Sequence, residues 1–252
     1  MSVDELRLAN APIIEAVLDI DCEPPPGQEL AALEGAARDG FRHEYPKFKP
    51  RYFQEHQIRA QAEGPPDIAV DRGVEAFLFL HDDEKQLVQV RRQGFSFNRL
   101  APYTSLDEYL PEIKRAWQAY VSLATPVQAR LIRLRYINRF ELPASDRHVT
   151  LADFLKLGPR PPKDMGLDFH AFLEQQRAVE PGTSNEVSIV VASQPHDGDV
   201  FPVILDITAF RGINAEPEDW PAILSVIESL RELKNRVFRY SLTERCLHLF
   251  QK

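Results

Sequence analysis

The 252-residue sequence contains little cysteine: Cys22 and Cys246, close to its opposite ends. No Cys-x-x-Cys pair or cysteine–histidine cluster accompanies them, so the sequence predicts neither a disulfide framework nor a zinc site. The longest apolar runs, such as 77–80 and 200–205, are far shorter than the ~20 residues that cross a bilayer. The N-terminus is polar and no apolar leader follows it. These absences predict a cytoplasmic protein without membrane association.

The sequence also lacks the common signatures of catalysis and cofactor binding. It contains no Gly-x-Ser-x-Gly, no P-loop, no Gly-x-Gly-x-x-Gly and no His-x-x-x-His. The acidic stretches 81–84 and 196–199 lie between predicted strands and are rich in turn formers, which favours plain loops over metal sites. We therefore predict no catalytic residue, no cofactor and no metal, and whether the protein is an enzyme stays open.

Positive charge is scarce, with 30 Lys and Arg against 38 Asp and Glu and a net charge of −8. This balance argues against nucleic-acid binding, which depends on basic patches. Hydrophobic residues make up 44% of the chain and charged residues 27%, as in an ordinary globular protein. A chain of this length can bury a sizeable core by itself.

The predicted elements repeat in order across two halves, 1–126 and 127–252. Each half reads as a strand, a helix, three or four antiparallel strands and a long helix. This order predicts an α+β fold of two similar halves packed as one unit, each an antiparallel sheet on helices. The nearest topologies are the TBP-like and helix-grip types, a likeness of topology alone. The predicted strands are 12–21, 52–62, 76–80, 86–92, 94–99, 130–142, 169–179, 186–193 and 201–210, and the shorter helices are 28–45 and 150–157.

Helix start signals and apolar stripes locate the two long helices. Ser105 and Glu108 form a capping box before the first, where Pro111 predicts a kink or a restart and Trp117 falls on the core face. Asp219 precedes the second, with a proline in its first turn. A second capping box, Ser241 with Glu244, predicts a short C-terminal helix. The core stripe of the second long helix consists of Ile223, Val226, Ile227, Leu230, Leu233 and Val237.

Strand 130–141 carries the most informative polar pattern. Its alternation places Arg133, Arg135 and Arg139 on one face and Ile132, Leu134, Tyr136, Asn138 and Phe140 on the other. The first strand presents Glu15, Asp19 and Asp21 on one face, so the two rows can pair if the first strands of the halves are neighbours. One interpretation is a structural ion network. The other is an anion-binding site in which the arginines hold a phosphate or carboxylate.

Mixed charges on antiparallel strands also resemble the triphosphate-tunnel enzymes, which hold Mg²⁺ with strand carboxylates. That family has Glu-x-Glu-x-Lys on its first strand, whereas Glu15-Ala16-Val17-Leu18-Asp19 has neither the spacing nor the lysine. An enzyme acting on phosphate esters or other anions through strand 130–141 is therefore the alternative function.

Several stretches together resemble one bacterial family. They are the opening Asn10-Ala11-Pro12-Ile13, the strand Arg135-Tyr136-Ile137-Asn138-Arg139, and the closing stretch Leu233 to Phe238 with Leu242-Thr243. They are similar to a sporadically distributed family of uncharacterised bacterial proteins of about 250 residues. The resemblance implies a single unit in a bacterial cytoplasm and carries no residue roles. The leading prediction is a non-catalytic binding module for a protein or a small anionic ligand, its oligomeric state left open.

Overall fold

The computed structural model describes residues 8, 10–59, 67–143, 150–159, 171–195 and 200–251, with the backbone alone for 55–59 and 67–71. These residues form one nine-stranded antiparallel sheet with four α-helices, which confirms the α+β prediction. The strands are β1 (Ile13–Glu23), β2 (Lys47–Arg59), β3 (Asp67–Leu80), β4 (Gln86–Arg91), β5 (Gly94–Leu100), β6 (Gln128–Pro143), β7 (Leu173–Val179), β8 (Glu186–Ser193) and β9 (Val200–Ala215). The helices are α1 (Glu34–Phe41), α2 (Leu106–Ala124), α3 (Trp220–Ser241) and α4 (Glu244–His248).

The sheet is centred on the pair of strands β1 and β6. Its order is β2-β3-β4-β5-β1-β6-β9-β8-β7. Outward from the central pair, one side therefore reads β5, β4, β3, β2 and the other reads β9, β8, β7. Helix α2 ends at Ala124 and β6 begins at Gln128, so a short connection joins the two sides.

One face of the sheet is buried and the other is polar. Side chains alternate along β1 and β6, so Ala16, Leu18, Ile132 and Leu134 point into the core. Helix α3 packs on β6 and β9, and α2 packs on β5, which closes the buried face. The polar face carries the charged residues that the alternation predicts. None of the described helices has an apolar stretch long enough for a membrane span.

Gly94 allows β5 to turn tightly beside β1. A two-residue turn separates β4 from β5, and Gly94 has a φ of +141°, a conformation that side chains disfavour. A Cβ atom at this position would lie 2.1 Å from the carbonyl oxygen of Ile20. Because that contact is with backbone, only glycine fits here.

The caps of the long helices agree with the prediction in part. The Ser105 hydroxyl accepts from the amide of Glu108, but the Glu108 carboxylate accepts from the Thr104 hydroxyl, so only half of the capping box forms. Helix α2 runs continuously through Pro111, so the predicted restart is wrong. Near the N-terminus this proline removes only one helical hydrogen bond. Asp219 caps α3 as predicted.

The short helices depart from the sequence prediction. Helix 28–45 is wrong in length, because a 3₁₀ helix (Leu30–Leu33) precedes α1 and the chain turns before β2. The helix predicted at 150–157 is only a 3₁₀ turn (Leu151–Asp153), after which Leu155 bridges to Leu242. These segments are held by packing against neighbours, which local periodicity does not report.

The second capping box is also wrong. Thr243 caps α4, accepting from the amide of Cys246. Ser241 still belongs to the last turn of α3, where its hydroxyl donates to the carbonyl of Val237. The turn predicted at 196–199 and the ends of strands 52–62 and 169–179 lie outside the described residues.

Candidate functional site

The predicted arginine row lies on the polar face, beside the acidic row of β1. Because β1 and β6 are neighbours, Asp19 stands opposite Arg133. The Arg133 Nη2 atom donates to Asp21 Oδ2 at 2.6 Å, and its Nε lies 3.5 Å from Asp19 Oδ2. Arg91 on β4 donates to the other oxygen of Asp21 at 2.8 Å. Asp21 therefore joins two arginines from two sides.

The other two arginines have different partners. Arg135 donates to both oxygens of Asp206 on β9, with Nη2–Oδ2 at 2.6 Å. Arg139 lies 3.5 Å from Glu141 of its own strand. Glu15 contacts no arginine of the row and accepts from Asn98 at 2.8 Å. The structure thus brings Arg133 to Asp19 and Asp21, while Asp206 and Arg91 are partners that the sequence reasoning missed.

The buried side of the sheet contains a second candidate site, a cavity of about 480 Å³. It lies between the N-terminal turn of α2, the neighbouring ends of β1 and β6, and the second half of α3. Its wall combines apolar side chains with a few polar groups, as small-molecule sites do. The lining residues used below are Ile13, Tyr103, Thr104, Leu106, Asp107, Glu108, Tyr136, Asn138, Arg231, Lys234 and Phe238.

Lys234 is the central polar group of this cavity. Its side chain is only 9% exposed because the residue lies on the sheet-facing stripe of α3, four residues after Leu230. Its Nζ atom lies 3.7 Å from the centre of the Tyr136 ring. Within the described residues, no hydrogen-bond acceptor or carboxylate contacts this amine. Burial, with a smaller effect of Arg231, lowers the pKa of Lys234 to about 7.

Two tyrosine hydroxyls stand beside the amine. Tyr103 and Tyr136 share a hydrogen bond of 2.7 Å, and their rings meet edge to face. Burial raises the pKa of Tyr136 to about 12 and that of Tyr103 further, so both hydroxyls stay protonated. In a pair, one hydroxyl donates to the other and the second keeps its proton free to donate. The cavity therefore offers hydrogen-bond donors from two kinds of side chain.

The acidic residues of the cavity lie at its rim and have partners of their own. Asp107 accepts two hydrogen bonds from the Arg231 guanidinium, at 2.6 and 2.8 Å, and this contact holds the pKa of Asp107 below its usual value. Glu108 accepts from Thr104 at 2.6 Å. Neither carboxylate neutralises Lys234. The donor-rich interior is suited to a ligand that brings an acceptor oxygen.

Two residues of the sequence mark this cavity, although neither belongs to a catalytic or cofactor-binding motif. Lys234 interrupts the apolar stripe of α3, and Asn138 interrupts the core-facing row of β6. Asn138 is buried and donates to the carbonyl of Leu205 at 3.0 Å. A charged or amide side chain on a core-facing position needs a partner, and therefore marks a place to look for a site.

Comparisons with known proteins add no further residue roles. No protein-family model matches the chain, and no curated protein matches it either. Within the ranges described above, no three His, Cys, Asp or Glu side chains are grouped to hold a metal ion. The functional argument therefore depends on the chemistry of the cavity and of the polar face.

Proposed function

We propose that this protein binds a small organic molecule bearing a carboxylate, and that the ligand occupies the Lys234 cavity. The observation that carries the proposal is the amine of Lys234, a nearly buried residue of the cavity wall whose Nζ atom no carboxylate of the described residues contacts. A buried ammonium without a partner is costly, and a ligand carboxylate supplies that partner. Tyr103 and Tyr136 add a hydroxyl donor beside it.

The size and walls of the cavity set the kind of molecule. A volume of about 480 Å³ lies within the range of about 300–1,000 Å³ typical of small-molecule sites. Leu106 is buried, and Ile13 and Phe238 pack against the core, so part of the wall is apolar. A short hydrocarbon body with one carboxylate head fits this combination. The role is that of a binding module rather than an enzyme.

Thermal melts with a series of carboxylates, from acetate to octanoate, test this proposal. A ligand that binds only the native state stabilises it by RT ln(1 + [L]/Kd), about 2.7 kcal/mol at a hundredfold excess over Kd. We expect saturable stabilisation of the wild type that Lys234→Met loses and Arg135→Met, on the opposite face, keeps. No shift beyond sodium chloride at equal ionic strength, or equal shifts in both variants, contradicts the proposal.

The arginine row supports a second candidate, an anion-binding or phosphate-ester site on the polar face. The side chains of Arg135 and Arg139 remain 46% and 44% exposed, and among the residues that the structure describes Arg139 contacts a carboxylate only at Glu141, at 3.5 Å. The same melts with phosphate and triphosphate separate the two sites. Stabilisation lost in Arg135→Met and kept in Lys234→Met assigns the anion to the polar face. An unchanged melt of the wild type removes this candidate.

We also propose that halves 1–126 and 127–252 derive from a duplication of the TBP-like type. The strand order supports this, since each half contributes its first strand to the centre and its later strands outward. The α2–β6 junction falls at the proposed boundary. On this proposal, the Lys234 cavity lies between the two halves, because its wall contains Tyr103 of the first half and Tyr136 of the second.

A further inference from the structure

We propose that Lys234 is a nucleophile that captures the carbonyl group of its ligand as an imine. The inference rests on the proposed ligand cavity and narrows its ligand class to carboxylates that also bear an aldehyde or ketone. A simple carboxylate pairs with the ammonium form of Lys234, whereas a ligand with a carbonyl group reacts with the neutral form. In that case the free hydroxyl donor of the Tyr103–Tyr136 pair is left to receive the ligand carboxylate.

The first requirement for such a lysine is an amine that no carboxylate engages. The titratable groups that line the cavity with Lys234 are Tyr103, Tyr136, Arg231, Asp107 and Glu108. Both carboxylates accept hydrogen bonds from other residues, Asp107 from Arg231 and Glu108 from Thr104. The amine contacts the face of the Tyr136 ring instead. No salt bridge therefore has to be broken before Nζ reaches a carbonyl carbon.

The second requirement is a neutral amine near neutral pH. Burial in an apolar wall and the nearby positive charge of Arg231 both favour the uncharged form of Lys234. Lys114 on α2 is exposed and does not experience this desolvation. Desolvation of this kind is a known way to activate a lysine for imine chemistry.

The reaction balances without any oxidant or reductant. The Nζ lone pair forms a bond to the carbonyl carbon, and the carbonyl oxygen takes up a proton to give a carbinolamine. The C–O bond then breaks, and both amine hydrogens leave with that oxygen as water. The Tyr103–Tyr136 pair can lend a proton to the oxygen and regain one from the nitrogen, since both hydroxyls are protonated. The product is a carbon–nitrogen double bond on Lys234.

Reductive trapping tests the inference on the full-length wild-type protein. Glyoxylate, which carries an aldehyde beside a carboxylate, is added with sodium cyanoborohydride near pH 7, and modified lysines are mapped by mass spectrometry. We expect Lys234 to be modified at least about tenfold faster than the exposed Lys114, because burial favours the neutral, nucleophilic form of the Lys234 amine. The rate of modification at Lys234 should rise with pH and level off above about pH 8, once its amine is neutral.

Two controls make the result specific to the cavity. Octanoate at saturating concentration should protect Lys234 and leave Lys114 unchanged. Lys234→Arg, which keeps a cation but cannot form an imine, should lose the fast-reacting site. Modification of Lys234 no faster than that of Lys114, or a rate at Lys234 that does not level off above about pH 8, overturns the inference. Carboxylate binding in the melts without trapping at Lys234 overturns only the imine and leaves the proposed function standing.

Discussion

At the scale of single residues, the burial of Lys234 makes the folded state sensitive to protonation. Its pKa is about 7 in the folded protein and about 10.5 as an unperturbed lysine. Between these values the unfolded chain binds a proton that the folded chain does not bind. The free energy of unfolding therefore rises with pH across this window. Below about pH 7 the folded protein has to hold a buried ammonium.

We predict that Lys234→Met removes this dependence. As the pH rises from about 7 to 10, the wild type should gain up to about 1.4 kcal/mol per pH unit relative to the variant. Chemical denaturation of both proteins across this range measures the difference in unfolding free energy. The contributions of the other titrating groups cancel in this difference, because both proteins contain them. Parallel stability curves would show that Lys234 titrates as an ordinary exposed lysine.

Single residues also show where sequence reasoning succeeds and where it stops. Trp117 was predictable as core because it shares an apolar helical face, and the structure buries it. The facing of Arg133 and Asp19 followed from alternation on neighbouring strands. The pairing of Arg135 with Asp206 could not be predicted in this way, because it depends on which strand lies beside β6 on the side away from β1. Strand order is a property of the whole sheet, not of the local sequence.

At the scale of elements, α2 is fixed to the rest of the molecule by Trp117. The ring meets Phe95 of β5 edge to face, with centroids 5.8 Å apart. Its Nε1 atom donates to the carbonyl of Pro217, just before α3, at 2.9 Å. The Trp117 side chain thus connects α2 both to β5 and to the segment that leads into α3.

We predict that Trp117→Ala lowers the free energy of unfolding by about 3–5 kcal/mol, because it leaves a large cavity and an unpaired carbonyl. Tyr240→Ala on α3 is the control, since this tyrosine is 65% exposed and its loss should change stability by no more than about 0.5 kcal/mol. Urea unfolding measures both. A loss below about 1 kcal/mol for Trp117→Ala would mean that the ring is accessible.

The long elements were predictable because their periodicity is sustained. The residues of β6 alternate faces from Ile132 to its end, and the 22 residues of α3 keep one apolar stripe that Lys234 interrupts. The short ones were not. The 3₁₀ turn Leu151–Asp153 is followed at Leu155 by a β-bridge to Leu242, which is a contact between distant parts of the chain. An element of three residues is too short to show a helical or strand period of apolar side chains.

At the scale of the whole molecule, contacts across the boundary near residue 126 are central rather than peripheral. The β1–β6 ladder lies at the middle of the sheet. The Tyr103–Tyr136 hydrogen bond, the Arg231–Asp107 ion pair and the Trp117–Pro217 hydrogen bond also cross this boundary. Removing either half therefore exposes part of the core of the other.

We predict that the protein unfolds in one cooperative transition. Calorimetry should give a calorimetric enthalpy equal to the van't Hoff enthalpy, since neither half keeps its core alone. A chain that ends at Pro126 should not form a stable folded monomer. Two resolved transitions, or a folded fragment 1–126 with its own sharp melt, would instead show two independent domains.

The central position of β1 has a consequence for how the protein is made. All four strands that accompany β1 in the first half are translated before β6, so one edge of the eleven-residue β1 has no partner until β6 is made. An open strand edge is a template for pairing with another chain. Nascent chains on neighbouring ribosomes, or products of a premature stop near codon 126, would pair β1 with β1. Translation of β6 then supplies the partner strand that covers this edge and prevents aggregation of nascent chains.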